Sequence, residues 1–168
     1  MADRQLGAMF MSNNRTYEVQ RTNNFEVVFE GLSDNITLAV ASCSIPNTSN
    51  EPVELPYGNT RVKVAGQTSF DDVSLVVNDF IKADIEKELV AWRAQVYNPD
   101  NDAIGWAEDY KRVGRLYQFA PDGTCDRVYY LQGCWPSSLE VSEFNYDGSD
   151  KKQITLTISV DKARRLVE

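Results

Sequence analysis

From Gln153 to Asp161 the chain alternates without a break. Ile154, Leu156, Ile158 and Val160 fall on one side, and Thr155, Thr157, Ser159 and Asp161 on the other. Successive side chains of a strand point to opposite faces, so this is the pattern of a strand with one face in a core and one in water. A helix would scatter the same apolar residues around its circumference. A half-buried strand of this kind belongs to an antiparallel sheet, because parallel sheets are covered on both faces.

Other segments repeat the signal. Asn24–Gly31 sets Phe25, Val27 and Phe29 against Glu26, Val28 and Glu30. Ile36, Leu38 and Val40 alternate with Thr37, Ala39 and Ala41, which predicts a second strand running to Pro46. Asn47–Pro56 holds prolines and asparagines without alternation and is predicted to be a loop. Tyr57–Ala65 alternates again, with Val62 and Val64 opposite Arg61 and Lys63; Gly66 interrupts it, and Phe70, Val73, Leu75 and Val77 carry a further strand. Pro121-Asp122-Gly123 has the chemistry of a tight turn and joins Arg115–Phe119 to Asp126–Leu131 as a hairpin. Leu139–Tyr146 and Gln153–Val160 complete the sheet. Residues 1–22 are rich in Asn, Arg and Thr, have no period, and read as an N-terminal arm.

One stretch has a different period. Ile85, Leu89, Trp92 and Val96 stand at i, i+4, i+7 and i+11, one stripe along a helix. Asp84, Glu86 and Glu88 favour the positive end of its dipole, and Pro99 stops it. A stripe one helix wide covers one patch of a β-core. The expected fold is therefore mainly β: a single domain over residues 1–168, built as an antiparallel two-sheet sandwich or barrel-like fold with one flanking α-helix. Trp92, Leu89 and Phe70 are the expected core anchors.

Charge and composition narrow the function. The net charge is −8 and histidine is absent. A protein that reads nucleic acid needs a basic patch, and the one dense basic cluster is Lys162, Arg164 and Arg165. Without histidine the commonest general acid/base and metal ligand is missing. Asp100, Asp102 and Gly105 begin like a calcium loop, but Ile104 and Lys111 stand where ligands should be. The spacing of Cys43, Cys125 and Cys134 is not that of a zinc site, and phosphate loops and nucleophile elbows are absent. No enzyme, cofactor or metal is expected. Three cysteines cannot all pair within one chain; reduced thiols are the expected state, and spacing prefers no inter-subunit pairing. No apolar run approaches the roughly 20 residues that span a bilayer, and Met1–Leu6 lacks the features of a signal peptide, so folding in the cytoplasm is expected.

Assembly remains. Tyrosines and arginines are frequent on the predicted strands and loops, as at interfaces. Several short pieces also stand in a particular order: Phe25-Glu26-Val27, Leu55-Pro56-Tyr57-Gly58-Asn59, Phe70-Asp71-Asp72-Val73-Ser74-Leu75, the Trp92 helix, Tyr110-Lys111-Arg112, Gly133-Cys134-Trp135-Pro136 and Ile158-Ser159-Val160-Asp161. In that order and spacing, from about Asn24 to Leu166, they resemble the tail tube proteins of contractile-tailed bacteriophages. The resemblance implies hexameric rings in which the inner sheets of the subunits join into one continuous β-barrel around a lumen, with rings stacked into a tube. It implies that the arm (1–22) and the loop and hairpin at 47–66 make inter-subunit and inter-ring contacts, with Pro56, Tyr57, Gly58, Asn59, Arg61 and Lys63 as contact residues. The implied partners are further copies of the chain, a sheath protein, a tape-measure protein, and baseplate and tail-terminator proteins. DNA passes through transiently and without sequence preference. The implied location is the tail of a virion, assembled in the host cytoplasm.

A conduit for DNA needs a lumen without adhesive cations. The strands around Thr37–Ala41, Asn59–Lys63 and Glu140–Glu143 are the expected lumen segments, with Glu140 and Glu143 as lumen acids. Two alternatives stand beside this reading. The tube of a phage-derived bacteriocin or type VI-like injection system would keep the assembly and lose the genome. A monomeric ligand-binding β-sandwich would instead use Trp106, Tyr110 and Trp135 as an aromatic platform.

Overall fold

Strand β10 (Gln153–Ser159) buries Ile154, Leu156 and Ile158 and leaves Thr155, Thr157 and Ser159 half-covered on its other face. In the computed structural model, which describes residues 19–146 and 150–166, its neighbours are β5 (Val73–Asn78) and the second half of β9 (Cys125–Val141), both antiparallel. Beyond β5 lies β2 (Val40–Cys43), so one sheet, sheet II, runs β2–β5–β10–β9. The first half of β9 belongs to sheet I, with β8 (Arg112–Phe119) and then β1 (Phe25–Phe29) on one side and β11 (Lys162–Leu166) on the other.

The long β9 is what joins the two sheets. It crosses from one to the other at Gly133, whose φ is +67°, and β10 gives way to β11 alongside it at Asp161. Asp161 packs so close to Gly133 that no Cβ would fit there, and its carboxylate accepts from Lys111 at 2.6 Å. Val27, Phe29, Leu116 and Leu131 of sheet I face Val73, Leu75, Val77, Ile154, Leu156 and Ile158 of sheet II across a common core. This is the predicted two-sheet antiparallel fold.

The flanking helix α2 (Ile85–Val96) buries Ile85, Leu89, Trp92 and Val96 over that core. Asp84 caps it by accepting from the Lys87 amide at 3.2 Å, and Glu86 and Glu88 lie in the first turn where the helix dipole favours them. The Trp92 ring sits 5.8 Å from Phe29, and its indole N–H donates to the Tyr110 carbonyl at 2.8 Å. Tyr110 ends a short helix, α3 (Ala107–Tyr110), which follows a small hairpin pairing β6 (Tyr97–Asn98) with β7 (Ala103–Ile104).

Three expectations need correction. Residues Asp34–Ala39 form helix α1, not a strand. Ile36 and Ala39 point inward at helical spacing, Leu38 is 77 % exposed, and Glu88 of α2 accepts from both the amide and the hydroxyl of Ser33 before the first turn. Five residues of alternation cannot separate a strand from one and a half turns, and the long-range Glu88 contact decides. Asn47–Pro56 is mostly not a loop: Thr48–Tyr57 forms strand β3, paired with β4 (Thr60–Phe70). β3 has one neighbour, so Pro52 and Pro56 can turn their missing N–H toward the open side. Phe70 is not a core anchor. It closes β4 half-buried, and Asp71-Asp72 separate it from Val73, the first core residue of β5.

Candidate functional site

The β3–β4 hairpin leaves the edge of sheet II and stands free of the core. Every residue of β3 is exposed, and in β4 only Gly66 and Phe70 are half-covered. Its base is tied down by backbone and hydroxyl bonds between Ser44 and Ser74, by the Asp71 amide on the Asn47 carbonyl, and by Ser49–Ser69 and Asn50–Thr68 side-chain bonds. Its tip is a two-residue loop, Gly58-Asn59, with glycine first at φ +57° and Tyr57 opposite Thr60.

The two faces of this ribbon differ. On one, Val53 stands across from Val64 and Leu55 across from Val62, each 43–49 % exposed. Tyr57 continues the row, 76 % exposed. On the other, Glu54 accepts from Arg61 at 2.9 Å and lies 3.4 Å from the Lys63 ammonium. A two-stranded ribbon alone is marginal in water, and a row of uncovered β-branched and leucine side chains marks an interaction surface. Pro56, Tyr57, Gly58, Asn59, Arg61 and Lys63 all lie on its distal half.

Both sheets also have open edges. Among the described residues β1 pairs only with β8, β2 only with β5, and residues 135–141 of β9 only with β10. Between the edges β1 and β2 runs an open cleft of about 950 Å³ lined by Phe25, Val27, Leu38, Val40, Ile45 and Phe119, among others. Unpaired edges of this sort are templates for pairing with another chain.

Residues 21–164 match the family of the T4-like virus tail tube protein gp19. The chain belongs to this tail tube family. Tail tube protein gp19 of Enterobacteria phage T4 is 24 % identical over 144 residues, covering 84 % of this chain and 88 % of its own, and gp19 of phage T6 matches to the same extent. Among solved structures, the fold is similar to a chain of the PVC sheath–tube complex of an extracellular contractile injection system (TM-score 0.72, 16 % identity, 94 % of this chain and 100 % of that one). It is similar also to the tube-terminating cap of the anti-feeding prophage (TM-score 0.74, 14 % identity, 96 % and 99 %). Hcp1 from Flavobacterium johnsoniae shares the fold more distantly (TM-score 0.51, 12 % identity, 84 % and 93 %). The chain is thus a structural protein of a contractile phage tail, placed in the virion. No helix among the described residues is long and apolar enough to cross a membrane.

The other sequence-predicted residues of this tail tube protein fall in different places. Glu140 is exposed on the outward face of sheet II, opposite Thr155. Glu143 lies beyond the last ladder pair of β9, exposed and off the sheet. Asn59–Lys63 belongs to the hairpin and not to sheet II, and of Thr37–Ala41 the first three residues lie in α1 while Val40 and Ala41 open β2 of sheet II. Of the arm, residues 1–18 lie outside the described residues; Gln20 donates to the Phe119 carbonyl at 2.9 Å. Tyr110 and Trp135 are half-buried edge-to-face at 5.9 Å, leaving Trp106, 79 % exposed, as the open aromatic of that trio.

Sequence reasoning missed a clip beside α2. Lys152 bonds both Glu86 and Asp79, and holds the strand entering β10 to the start of the helix. Burial pushes the Asp79 carboxyl up, but the Lys152 bond and charge, with backbone bonds from Glu86 and Phe80, outweigh it and hold it below the usual range. The cysteines divide as well. Burial pushes the thiols of Cys43 and Cys134 up to about 12, while Cys125 is exposed. The thiolate is the reactive form, and at pH 8 a pKa near 12 leaves about one thiol in ten thousand ionised. An aromatic disulfide reagent at pH 8 should therefore titrate Cys125 rapidly in the dissociated native protein, and all three thiols only after denaturation. Rapid reaction of all three in the native state would show that the core opens freely.

Proposed function

We propose that copies of this chain close into hexameric rings, that the rings stack into the inner tube of a contractile phage tail, and that the tube conducts DNA during ejection without sequence preference. The observation that carries the reading is the β3–β4 hairpin: an amphipathic ribbon whose apolar face none of the described residues covers. The open edges β2 and 135–141 support ring closure, since edge pairing between copies removes both at once. In this reading the hairpin and the arm at 1–22 grip the adjacent subunit and ring, with Tyr57, Arg61 and Lys63 at the contact. The role is architectural, not enzymatic.

A sheath protein around the tube, and baseplate and terminator proteins at its ends, are the partners supported by fold likeness to chains from a sheath–tube complex, a sheath/tube terminator and a baseplate. A tape-measure protein fills the lumen before ejection. The same likeness supports a second reading, the tube of an injection system, which shares every assembly step and differs in its passenger.

Negative-stain microscopy of the purified protein tests the assembly. Rings or tubes are expected; a monomer at high concentration would instead favour the ligand-binding sandwich. Changing Val53, Leu55, Val62 and Val64 together to serine should abolish tubes while the circular dichroism of the β-core stays unchanged, because the ribbon adds nothing to that core. Tubes of normal yield from this variant would show that the hairpin face is not the joint.

A further inference from the structure

Two surfaces lie apart from the β3–β4 hairpin and the sheet II edges, and their chemistry is complementary. The first is the outward face of sheet I. Val28, Arg115, Tyr130 and Arg164 stand in one row across its four strands, with Glu26, Tyr117, Val128 and Leu166 in the row beside it. Both guanidinium groups lie over the Tyr130 ring, at 5.8 and 5.1 Å. Glu30 holds Arg115 at 2.6 Å. Arg164, and Lys162 two residues before it on the same face, pair with no carboxylate among the described residues. The second surface is the knob of residues 97–110 that follows α2. Tyr97 stands across from Ile104 on its hairpin and Trp106 comes next, with Ile104 and Trp106 each 79 % exposed. Asp100 and Asp102 precede this pair and Glu108 and Asp109 follow it, all exposed, and the segment has no lysine or arginine. The knob is held in shape from within. The Tyr97 hydroxyl donates to Asp102 at 2.8 Å, and the Gly105 amide to the Val96 carbonyl at 3.1 Å. A Cβ at Gly105 would meet the Gln95 carbonyl oxygen at 2.1 Å, so the segment lies close against the end of α2.

We infer, resting on the tube assembly proposed above, that the knob of one copy docks on the outward face of sheet I of the next. Trp106 then stacks on the Arg164 guanidinium beside Tyr130, and Glu108 and Asp109 meet Arg164 and Lys162. Charge complementarity selects a second copy as the occupant. The chain carries a net charge of −8, so two copies repel one another unless cations of one meet acids of the other where they touch. β11 supplies Lys162 and Arg164 without carboxylates, and the knob supplies acids without bases. The uncharged part of the contact fits as well. Trp, Tyr and Arg carry most of the binding energy where they meet at an interface, and Trp is the aromatic that a guanidinium prefers. Arg164 presents a planar fork of donors, already laid over Tyr130, to which a carboxylate can bond. Both surfaces are fixed by their own hydrogen bonds and ring contacts, so little ordering opposes docking. They are different parts of the chain, which makes the contact head-to-tail. Each docked pair leaves one knob and one face free, and the contact repeats from copy to copy.

Charge exchange in the full chain tests the contact. Lys162→Glu with Arg164→Glu, or Glu108→Lys with Asp109→Lys, should raise the protein concentration needed for tubes on the order of tenfold or more, because like charges then face each other. All four changes in one chain should restore tube formation, since every contact then carries the reversed pairs. Circular dichroism and the urea midpoint of the dissociated variants should match the unsubstituted protein, as none of these residues belongs to the core. Carbodiimide coupling of unsubstituted tubes needs no variant. An amide between the Lys162 amine and the Glu108 or Asp109 carboxyl of another copy should form in tubes and not in dissociated subunits. Normal tube formation by both paired variants would overturn the inference. So would paired variants that each fail and do not recover in combination, which would put the two surfaces in separate contacts. Tubes in which Lys162 couples only to other carboxyls would overturn it too. If the unsubstituted protein forms no rings or tubes, the assembly reading fails and takes this inference with it. Tubes that form without the coupling or the rescue sink the inference alone.

Discussion

Trp92→Ala is expected to lower folding stability by about 3–5 kcal/mol, the range for removing a large aromatic from a packed core. The side chain is 1 % exposed, touches Phe29 from sheet I, and lies 5.5 Å under the Arg112 guanidinium. It is also the joint between α2 and the segment behind it, because its indole N–H satisfies the Tyr110 carbonyl. Alanine leaves a void between helix and sheet and an acceptor without its donor. Trp92→Phe keeps most of the volume and loses the hydrogen bond, so it should cost less, about 1–3 kcal/mol for the unpaired group. Domains of this kind are stable by only about 5–15 kcal/mol, so the alanine variant should be poorly soluble or partly unfolded at growth temperature. Urea unfolding of the dissociated protein, followed by circular dichroism, measures both changes. An unchanged midpoint for Trp92→Ala would mean that the helix stripe contributes little to holding the fold.

What the sequence revealed, and what it hid, follows the range of the interactions involved. β10 was legible because it has a neighbour on each side and a full core face, so its alternation is uninterrupted. The α2 stripe was legible for the same reason: all four predicted residues are buried, three of them in the common core. β3 was hidden because it meets none. Without a buried face the strand can carry Pro52 and Pro56, which a central strand would not tolerate, and these read as loop. α1 was hidden because a contact from Glu88, far along the chain, settles a local tie between strand and helix. The same limit applies to the site. Residues at the hairpin tip announce themselves through the Tyr-Gly turn. The row of Ser74, Thr157 and Ser138 does not, since these residues come together only through the register of three strands. Alternation marked Thr155 and Thr157 as outward-facing, but it did not show what would stand beside them.

Glu140→Lys is the substitution expected to change conduction most. Glu140 is the single charge among the strand residues of sheet II, exposed in a row with Thr155 and Val76, and its reversal shifts the charge by two units per copy and adds one cation to strands that have none. Repetition around each ring and along the tube turns that change into a string of phosphate contacts, each contributing a slope of about −0.9 in log affinity against log salt. Phage carrying Glu140→Lys should form normal tubes and eject DNA more slowly, with the deficit greatest at low salt. Adding salt should restore the rate, since the Debye length is about 30 Å at 0.01 M and about 8 Å at physiological ionic strength. Glu143→Lys makes the same charge change beyond the end of the ladder, off the sheet, and should slow ejection less. The pair of variants separates charge on the sheet from charge in general. A slowing that salt does not relieve would point to steric narrowing by the longer side chain. Ejection at the normal rate in low salt, from intact tails carrying Glu140→Lys, would place Glu140 away from the passing DNA and remove the electrostatic account of the bore.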